Sequence, residues 1–251
     1  MLQNYCQVST IQIAIAMIFI AFFLLLDNMS FYRCDVSKPD AVNSISRRVI
    51  EDVGHPSILV NNAGIVYGKS ILDSKHEEFD KTIAVNLNAH YYLIKAFLPG
   101  LLTKNSGHIV NIASVLGIAG VAMSSSYCAS KFGVVGLSDA LRQELHGTNV
   151  HSSCIYPGLI SSGMFIGVSH RFPWLTPPLS VETVANTIVR VLQEGKSQDI
   201  KLPLYANLIG ILRLLPVELA DTVRRFVGAN DDMKKYQHSV SRLKSDKMSQ
   251  K

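Results

Sequence analysis

Apolar and polar positions alternate along this chain in two rhythms. Short β-branched runs are separated by longer stretches whose apolar residues recur every three or four positions, and that pattern predicts βα units on a parallel sheet. A short strand is expected at Phe31–Cys34, ending at Asp35-Val36. Pro39, a favoured first helical residue, then opens a helix with Val42, Ile45, Val49, Ile50 and Val53 on its apolar face. Ile58–Val60 reads as a buried strand ending at Asn61-Asn62-Ala63-Gly64. A long helix follows from about Glu77 to Leu102, with Asn86 in its middle. His108–Ile112 is the next strand, ending at Ala113-Ser114. A helix over roughly Ser124–His146 precedes a strand at Val150–Tyr156, which ends at Pro157-Gly158. A helix at Val181–Gln193 and a short strand at Ile200–Leu202 complete the body. Ligands of open parallel sheets bind beyond the carboxyl ends of the strands. Here four successive strands end there in small or polar clusters, which together describe a site.

The amino-terminal pattern is different. Val8–Leu26 is a run of 19 residues without a charge. As a helix it would span about 28 Å, close to the hydrocarbon thickness of a bilayer. A membrane segment is the expectation, although Gln12 interrupts the run, no Lys or Arg precedes it and Asp27 follows. A buried strand, with Ile11, Ile13 and Ile15 alternating, is the alternative. The pattern divides the chain into an apolar leader (1–28), an α/β domain (29–205), and an apolar stretch with a basic tail (206–251).

Composition sharpens the division. Of 251 residues, 48% are hydrophobic and 17% charged, which excludes disordered and collagen-like classes. The net charge of +5 belongs to the end of the chain. Residues 224–251 hold 8 basic and 3 acidic side chains, and the rest of the chain is balanced. That tail carries two aromatics, Phe226 and Tyr236, and no nucleic-acid-binding signature, so a solvated or membrane-surface tail is expected and no nucleic-acid partner. The four cysteines have no metal or redox spacing. No metal is expected, and the thiols point to a reducing, intracellular setting.

The candidate chemistry lies in Tyr127 and Lys131, four residues apart on one helix face. An ammonium beside a phenol favours the phenolate, which lowers the tyrosine pKa and suits it to exchange a proton with an alcohol or carbonyl. Ser114, at a neighbouring strand end, is placed to hydrogen-bond the same oxygen. A Tyr-x-x-x-Lys pair alone is common on helix surfaces; the upstream serine and the Asn-Asn-Ala-Gly loop make chance a poor explanation.

Taken together, Asn61-Asn62-Ala63-Gly64, Asn86, Ser114, Tyr127-Cys128-Ala129-Ser130-Lys131 and Pro157-Gly158-Leu159-Ile160-Ser161-Ser162 resemble the classical short-chain dehydrogenase/reductase family over residues 30–205. The apolar leader and the Leu/Pro-rich stretch at 202–228 resemble its membrane- and lipid-droplet-associated branch of 17β-hydroxysteroid and retinol dehydrogenases. The resemblance implies a Rossmann-like doubly wound parallel sheet and NAD(P)-dependent interconversion of an alcohol with a ketone or aldehyde. It implies Tyr127 as general acid/base, Lys131 as its electrostatic partner and ribose ligand, Ser114 as the group that orients the substrate oxygen, and Asn86 as holder of a water. Asp35 and Val36 are implied at the adenine, Asn62, Ala63 and Gly64 along the cofactor, and Pro157, Gly158, Ile160 and Ser162 at the nicotinamide end. A homodimer through the two long helices is also implied. The apolar loop at 159–179, with Met164, Phe165, Phe172 and Trp174, points either to a lipophilic substrate such as a steroid, retinoid or long-chain lipid or to a loop packed on its own core. The expected location is the endoplasmic reticulum or lipid-droplet surface, with the catalytic part in the cytoplasm. Leu208–Leu215 is expected as an interfacial helix or a core or dimer contact.

One departure from the family is large. Its opening strand, glycine-rich turn and helix receive the cofactor pyrophosphate, yet the first glycine here is Gly54. The expected fold is therefore a Rossmann sheet truncated at its amino-terminal βαβ unit, with a complete catalytic group and a weakened cofactor site. A truncated product, a genuine short form without activity, and an apolar run serving as a substitute strand all fit this pattern. The rival function class is a membrane-associated interaction protein that binds no dinucleotide.

Overall fold

The structure is a computed structural model that describes residues 30–161, 163–165, 168, 171, 177–228 and 236. The membrane-segment expectation for residues 8–26 lies outside them. Among the described residues no helix is long and apolar enough to cross a membrane.

Among the described residues four strands form one parallel sheet in the order β1 (Ile58–Asn61), β2 (Gly107–Ile112), β3 (Val150–Pro157), β4 (Asp199–Leu202). Helix α1 (Pro39–Val53) precedes β1, with Pro39 in its first turn as expected. Between β1 and β2 runs one long helical rod: α2 (His76–Ile83), a π turn over Ala84–Asn88, and α3 (Ala89–Lys104). Helix α4 (Ser125–Glu144) joins β2 to β3, and α5 (Val181–Glu194) joins β3 to β4.

Alternation along β2 divides the core, since successive strand side chains point to opposite faces. Val110 and Ile112 pack with Ile155 beneath Val184, Ile188 and Val191 of α5. Ile109 and Val150 face the other way, onto Ile94 and Leu101 of α3 and Leu141 of α4. The sheet is thus covered by helices on both faces, and the strand register brings the ends of β1, β2 and β3 side by side.

Three expectations are corrected. Residues 31–34 form no strand; a strand needs a neighbour to complete its hydrogen bonds, and among the described residues none is paired with them. Phe31 is exposed instead. For the same reason β1 is, among the described residues, an edge rather than a buried strand, and Ile58 is 46% exposed. At the other end, the stretch expected as one interfacial helix is broken into α6 (Ala206–Ile209), a 3₁₀ turn (Gly210–Leu214) and, after Pro216, α7 (Val217–Val227).

Candidate active site

The carboxyl edge of the sheet collects most of the predicted residues. Ser114 follows β2 directly. Its Oγ accepts from the Leu116 amide at 3.1 Å and donates to the Pro157 carbonyl at 3.3 Å, which ties the end of β2 to the end of β3. Tyr127 lies in the first turn of α4 and is buried, with the Ser114 hydroxyl close enough to its phenol to act on its pKa. Lys131 sits one turn on, with Nζ 5.8 Å from the centre of the Tyr127 ring. That ammonium donates to the Ile112 carbonyl at 2.7 Å.

The electrostatics differ from the expectation. Burial pushes the Tyr127 phenol up to about 12, against the effect of the neighbouring Ser114 hydroxyl, which lowers it. Burial also brings the Lys131 amine down to about 8. The expected net lowering of Tyr127 by its lysine neighbour is therefore reversed. Desolvation disfavours the charged form of each group, and helix spacing alone carries no information about that cost.

Asn86 falls inside the π turn, an insertion that widens the helix and recurs at functional sites. Its Oδ1 accepts from the Ile65 amide at 2.8 Å, and its Nδ2 donates to the Ile65 carbonyl and to Ser130 Oγ, each at 3.0 Å. Ser130 Oγ in turn donates to the Tyr127 carbonyl at 2.7 Å. The side chain expected to hold a water is thus committed to the protein, and it couples the loop after β1 to the helix that carries Tyr127. Gly64 joins the same group: a Cβ built there lies 3.7 Å from Asn86 Oδ1 and 3.8 Å from Met164 Cε. Asn62 and Ala63 are half-buried in the same loop.

Pro157 ends β3. Gly158 donates its amide to the Leu202 carbonyl at 2.7 Å, and Ile160 bridges Leu179, closing the base of the loop between them. Ser162 lies outside the described residues. Asp35 and Val36 stand apart. The Asp35 carboxylate accepts from Ser37, the main cause of its lowered pKa, and pairs with Lys81 of α2 at 3.5 Å. Among the described residues no hydrogen bond or ion pair joins Asp35 or Val36 to the Tyr127 group.

Three features had escaped sequence reasoning. Ser130 was visible only as part of the Tyr-to-Lys motif. Gly117 is a close-approach glycine, since a Cβ there would lie 2.8 Å from the Lys131 carbonyl oxygen. An apolar cluster also packs on Tyr127: Val66 and Tyr236 are buried with it, against Leu116, Val121, Met123, Met164, Phe165 and Val168. Phe165 stands edge-on to Tyr127 at 5.7 Å.

The donor set suits a nicotinamide and its ribose: an amine, two hydroxyls and a small-residue loop converge at the ends of β1–β3. The pyrophosphate end does not fit in the same way. Gly54, the first glycine, caps α1 before β1 begins, at the opposite edge of the sheet. Among the described residues no glycine-rich turn meets the site. No group of three or more His, Cys, Asp or Glu that could hold a metal occurs among them either.

Comparisons with known proteins agree with the geometry. The short chain dehydrogenase family profile matches residues 25–171. Retinol dehydrogenase 10 of Homo sapiens is 37% identical over 209 residues, covering 80% of this chain and 61% of that protein. Short-chain dehydrogenase/reductase family 16C member 6 of Bos taurus is 33% identical over 201 residues, covering 78% and 63%. The chain thus spans under two thirds of the length of these relatives. Among solved structures, serine dehydrogenase from Escherichia coli superposes with a TM-score of 0.61 at 28% identity, covering 70% of this chain and 76% of that one. A metagenomic short-chain oxidoreductase in complex with NADP gives 0.59 at 28% identity, covering 72% and 77%. The chain belongs to the short-chain dehydrogenase/reductase family, in its classical form and on its retinol dehydrogenase side.

Proposed function

We propose that this chain is a nicotinamide-dependent oxidoreductase that interconverts a lipophilic alcohol (retinoid, steroid or long-chain lipid) and its aldehyde or ketone. One observation carries the reading: a buried tyrosine beside the Ser114 hydroxyl and one turn from Lys131 is surrounded by apolar side chains. When bound, the nicotinamide supplies or takes the hydride. The chain's own residues handle the proton. In oxidation Tyr127 Oη takes it from the alcohol; in reduction Oη returns it to the carbonyl oxygen. Ser114 holds that oxygen by a hydrogen bond. Lys131 stabilises the phenolate and holds the nicotinamide ribose, and Asn86 positions the Asn62-Ala63-Gly64 loop along the cofactor. Pro157, Gly158, Ile160 and Ser162 take the nicotinamide end. Asp35 and Val36 take the adenine, and NADP and NAD both remain within this reading.

The apolar run at 8–26 and the exposed Leu204, Leu208, Leu214 and Val217 support association with an intracellular membrane, with the α/β domain (29–205) on its cytoplasmic face. Exposed Tyr91 and Leu102 on α3 support a homodimer through the long helices.

A second reading, a membrane-associated interaction protein without dinucleotide binding, is favoured by a single observation, the lack of any glycine before Gly54. Equilibrium titration with NADH and NADPH separates the two. Weak, saturable binding of one dinucleotide supports the enzyme, and no binding at millimolar concentration supports the alternative.

A further inference from the structure

A second buried polar cluster lies beneath the loop that follows β1. Alternate strand residues share a face, so Asn111 points the same way as Ile109, toward α3 and α4. Its register neighbour Asn61, the last residue of β1, points there too. Asn61 Nδ2 donates to Asn111 Oδ1 at 2.9 Å, and Asn111 Nδ2 donates to Ser138 Oγ of α4 at 3.0 Å. His90, in the first turn of α3, stands one turn before Ile94, which packs with Ile109. Its ring thus lies over the asparagine pair, with Asn111 and the Ala63 backbone close enough to act on it. Yet neither ring nitrogen meets hydrogen-bond geometry with a protein group, and Asn61 Oδ1 has no partner either. His90 is 1% exposed and Asn61 2%.

Buried polar atoms in native proteins find a protein partner or an ordered water. Burial holds this imidazole neutral, so it offers one N–H and one bare nitrogen. Three unpartnered polar atoms at one spot are enough to hold a bridging water, which needs two to four partners. We propose that His90 is a positioning residue for the dinucleotide: with one internal water it links Asn61 Oδ1 to the Ala63 backbone and holds the Asn62-Ala63-Gly64 loop in the shape that meets the cofactor. Asn86 fixes the far end of the same loop through Ile65. The inference rests on the reading of this loop as a cofactor contact. A leucine would fill the space without burying a polar ring, so packing alone gives the histidine no purpose.

The test compares the full chain with His90→Leu and His90→Gln. Amide hydrogen exchange, read by mass spectrometry, reports opening of the loop separately from that of strands β2 and β3. One hydrogen-bonded link is worth about tenfold in a local equilibrium. His90→Leu is therefore expected to speed exchange in the loop about tenfold and to leave β2 and β3 unchanged. His90→Gln keeps a donor and an acceptor and is expected to restore slow exchange. Unchanged loop exchange in His90→Leu, or an equal rise in loop and core strands, overturns the proposal. If His90→Leu does not fold, nuclear magnetic resonance of the unaltered chain with labelled histidine decides. Cross-relaxation between the His90 ring and a long-lived internal water is expected there, and its absence overturns the proposal. Titration with NADH and NADPH tests the reading beneath it. A matching tenfold fall in affinity for His90→Leu supports both, and an unchanged affinity removes His90 from dinucleotide binding. If the loop responds but the unaltered chain binds neither dinucleotide, the reading of the loop falls and the tether stands.

Discussion

The Lys131 ammonium donates to the Ile112 carbonyl oxygen at 2.7 Å, so the lysine beside Tyr127 is anchored to the strand that delivers Ser114. Helix α4 and the end of β2 are thereby fixed to each other at the point where an alcohol oxygen would sit. Positioned acid–base groups contribute roughly 10²–10⁴-fold to rate. Lys131→Met should cost turnover of that order, measured at saturating dinucleotide, while native circular dichroism persists. Retained turnover would remove Lys131 from the proposed mechanism.

The pH profile should be asymmetric between the two reaction directions. Burial holds Tyr127 protonated, at about 12, so the phenol is in its acid form throughout the neutral range. Carbonyl reduction, which needs that acid, should be flat near neutrality. Alcohol oxidation needs the phenolate and should rise with pH from about 6 to 8, the rise flattening above that as Lys131, brought down to about 8, loses the charge that stabilises the phenolate. Initial rates in both directions across this range decide it; an oxidation rate that falls with pH would contradict the assignment.

Asn86→Ala removes an acceptor and two donors at once and leaves the Ile65 amide without its partner. Orphaning a buried group costs about 1–3 kcal/mol. Urea unfolding should show a destabilisation of that size, together with weaker dinucleotide binding, because the Asn62-Ala63-Gly64 loop loses its tether. Loss of stability with unchanged dinucleotide affinity would limit Asn86 to a structural role.

Gly117→Ala should be destabilising through backbone crowding rather than through loss of flexibility. The added methyl lies 2.8 Å from the Lys131 carbonyl oxygen, so the 3₁₀ turn after Ser114 must move away from α4. Overpacking of this kind costs about 1–3 kcal/mol. A thermal melt indistinguishable from that of the unaltered chain would show that the turn yields freely.

Acid should destabilise the fold before its carboxylates titrate. Burial lowers His90 to about 3 and His108 to about 4, against 6.5 for the free side chain. Below pH 6.5 the unfolded chain therefore binds protons that the native chain refuses. Stability falls as pH drops from 6.5 toward these values, by up to about 1.4 kcal/mol per pH unit for each histidine. Urea midpoints at pH 7 and pH 5 test this, and equal midpoints would contradict it.

Strands β2 and β3 and helices α4 and α5 were legible in the sequence because periodicity and burial agree there: Ile109 and Val110 point to opposite faces, and both faces are covered. Phe31–Cys34 has the composition of a strand, but pairing depends on a neighbour that no local pattern reveals. The π turn at Asn86 has an ordinary helical sequence; its extra width follows from the Ile65 and Ser130 partners. The motif residues Ser114, Tyr127 and Lys131 were visible from spacing, whereas the cost of burying them was not. Tyr236 was hidden most deeply, since a basic tail gives no hint that one of its side chains packs against Phe165.

The most direct test is the oxidation of all-trans-retinol at millimolar NAD⁺ or NADP⁺ by this chain and by its Tyr127→Phe variant. The account predicts slow, measurable turnover that falls by at least about 10²-fold in the variant. No turnover with either dinucleotide, or turnover that survives the loss of the phenol, would contradict it.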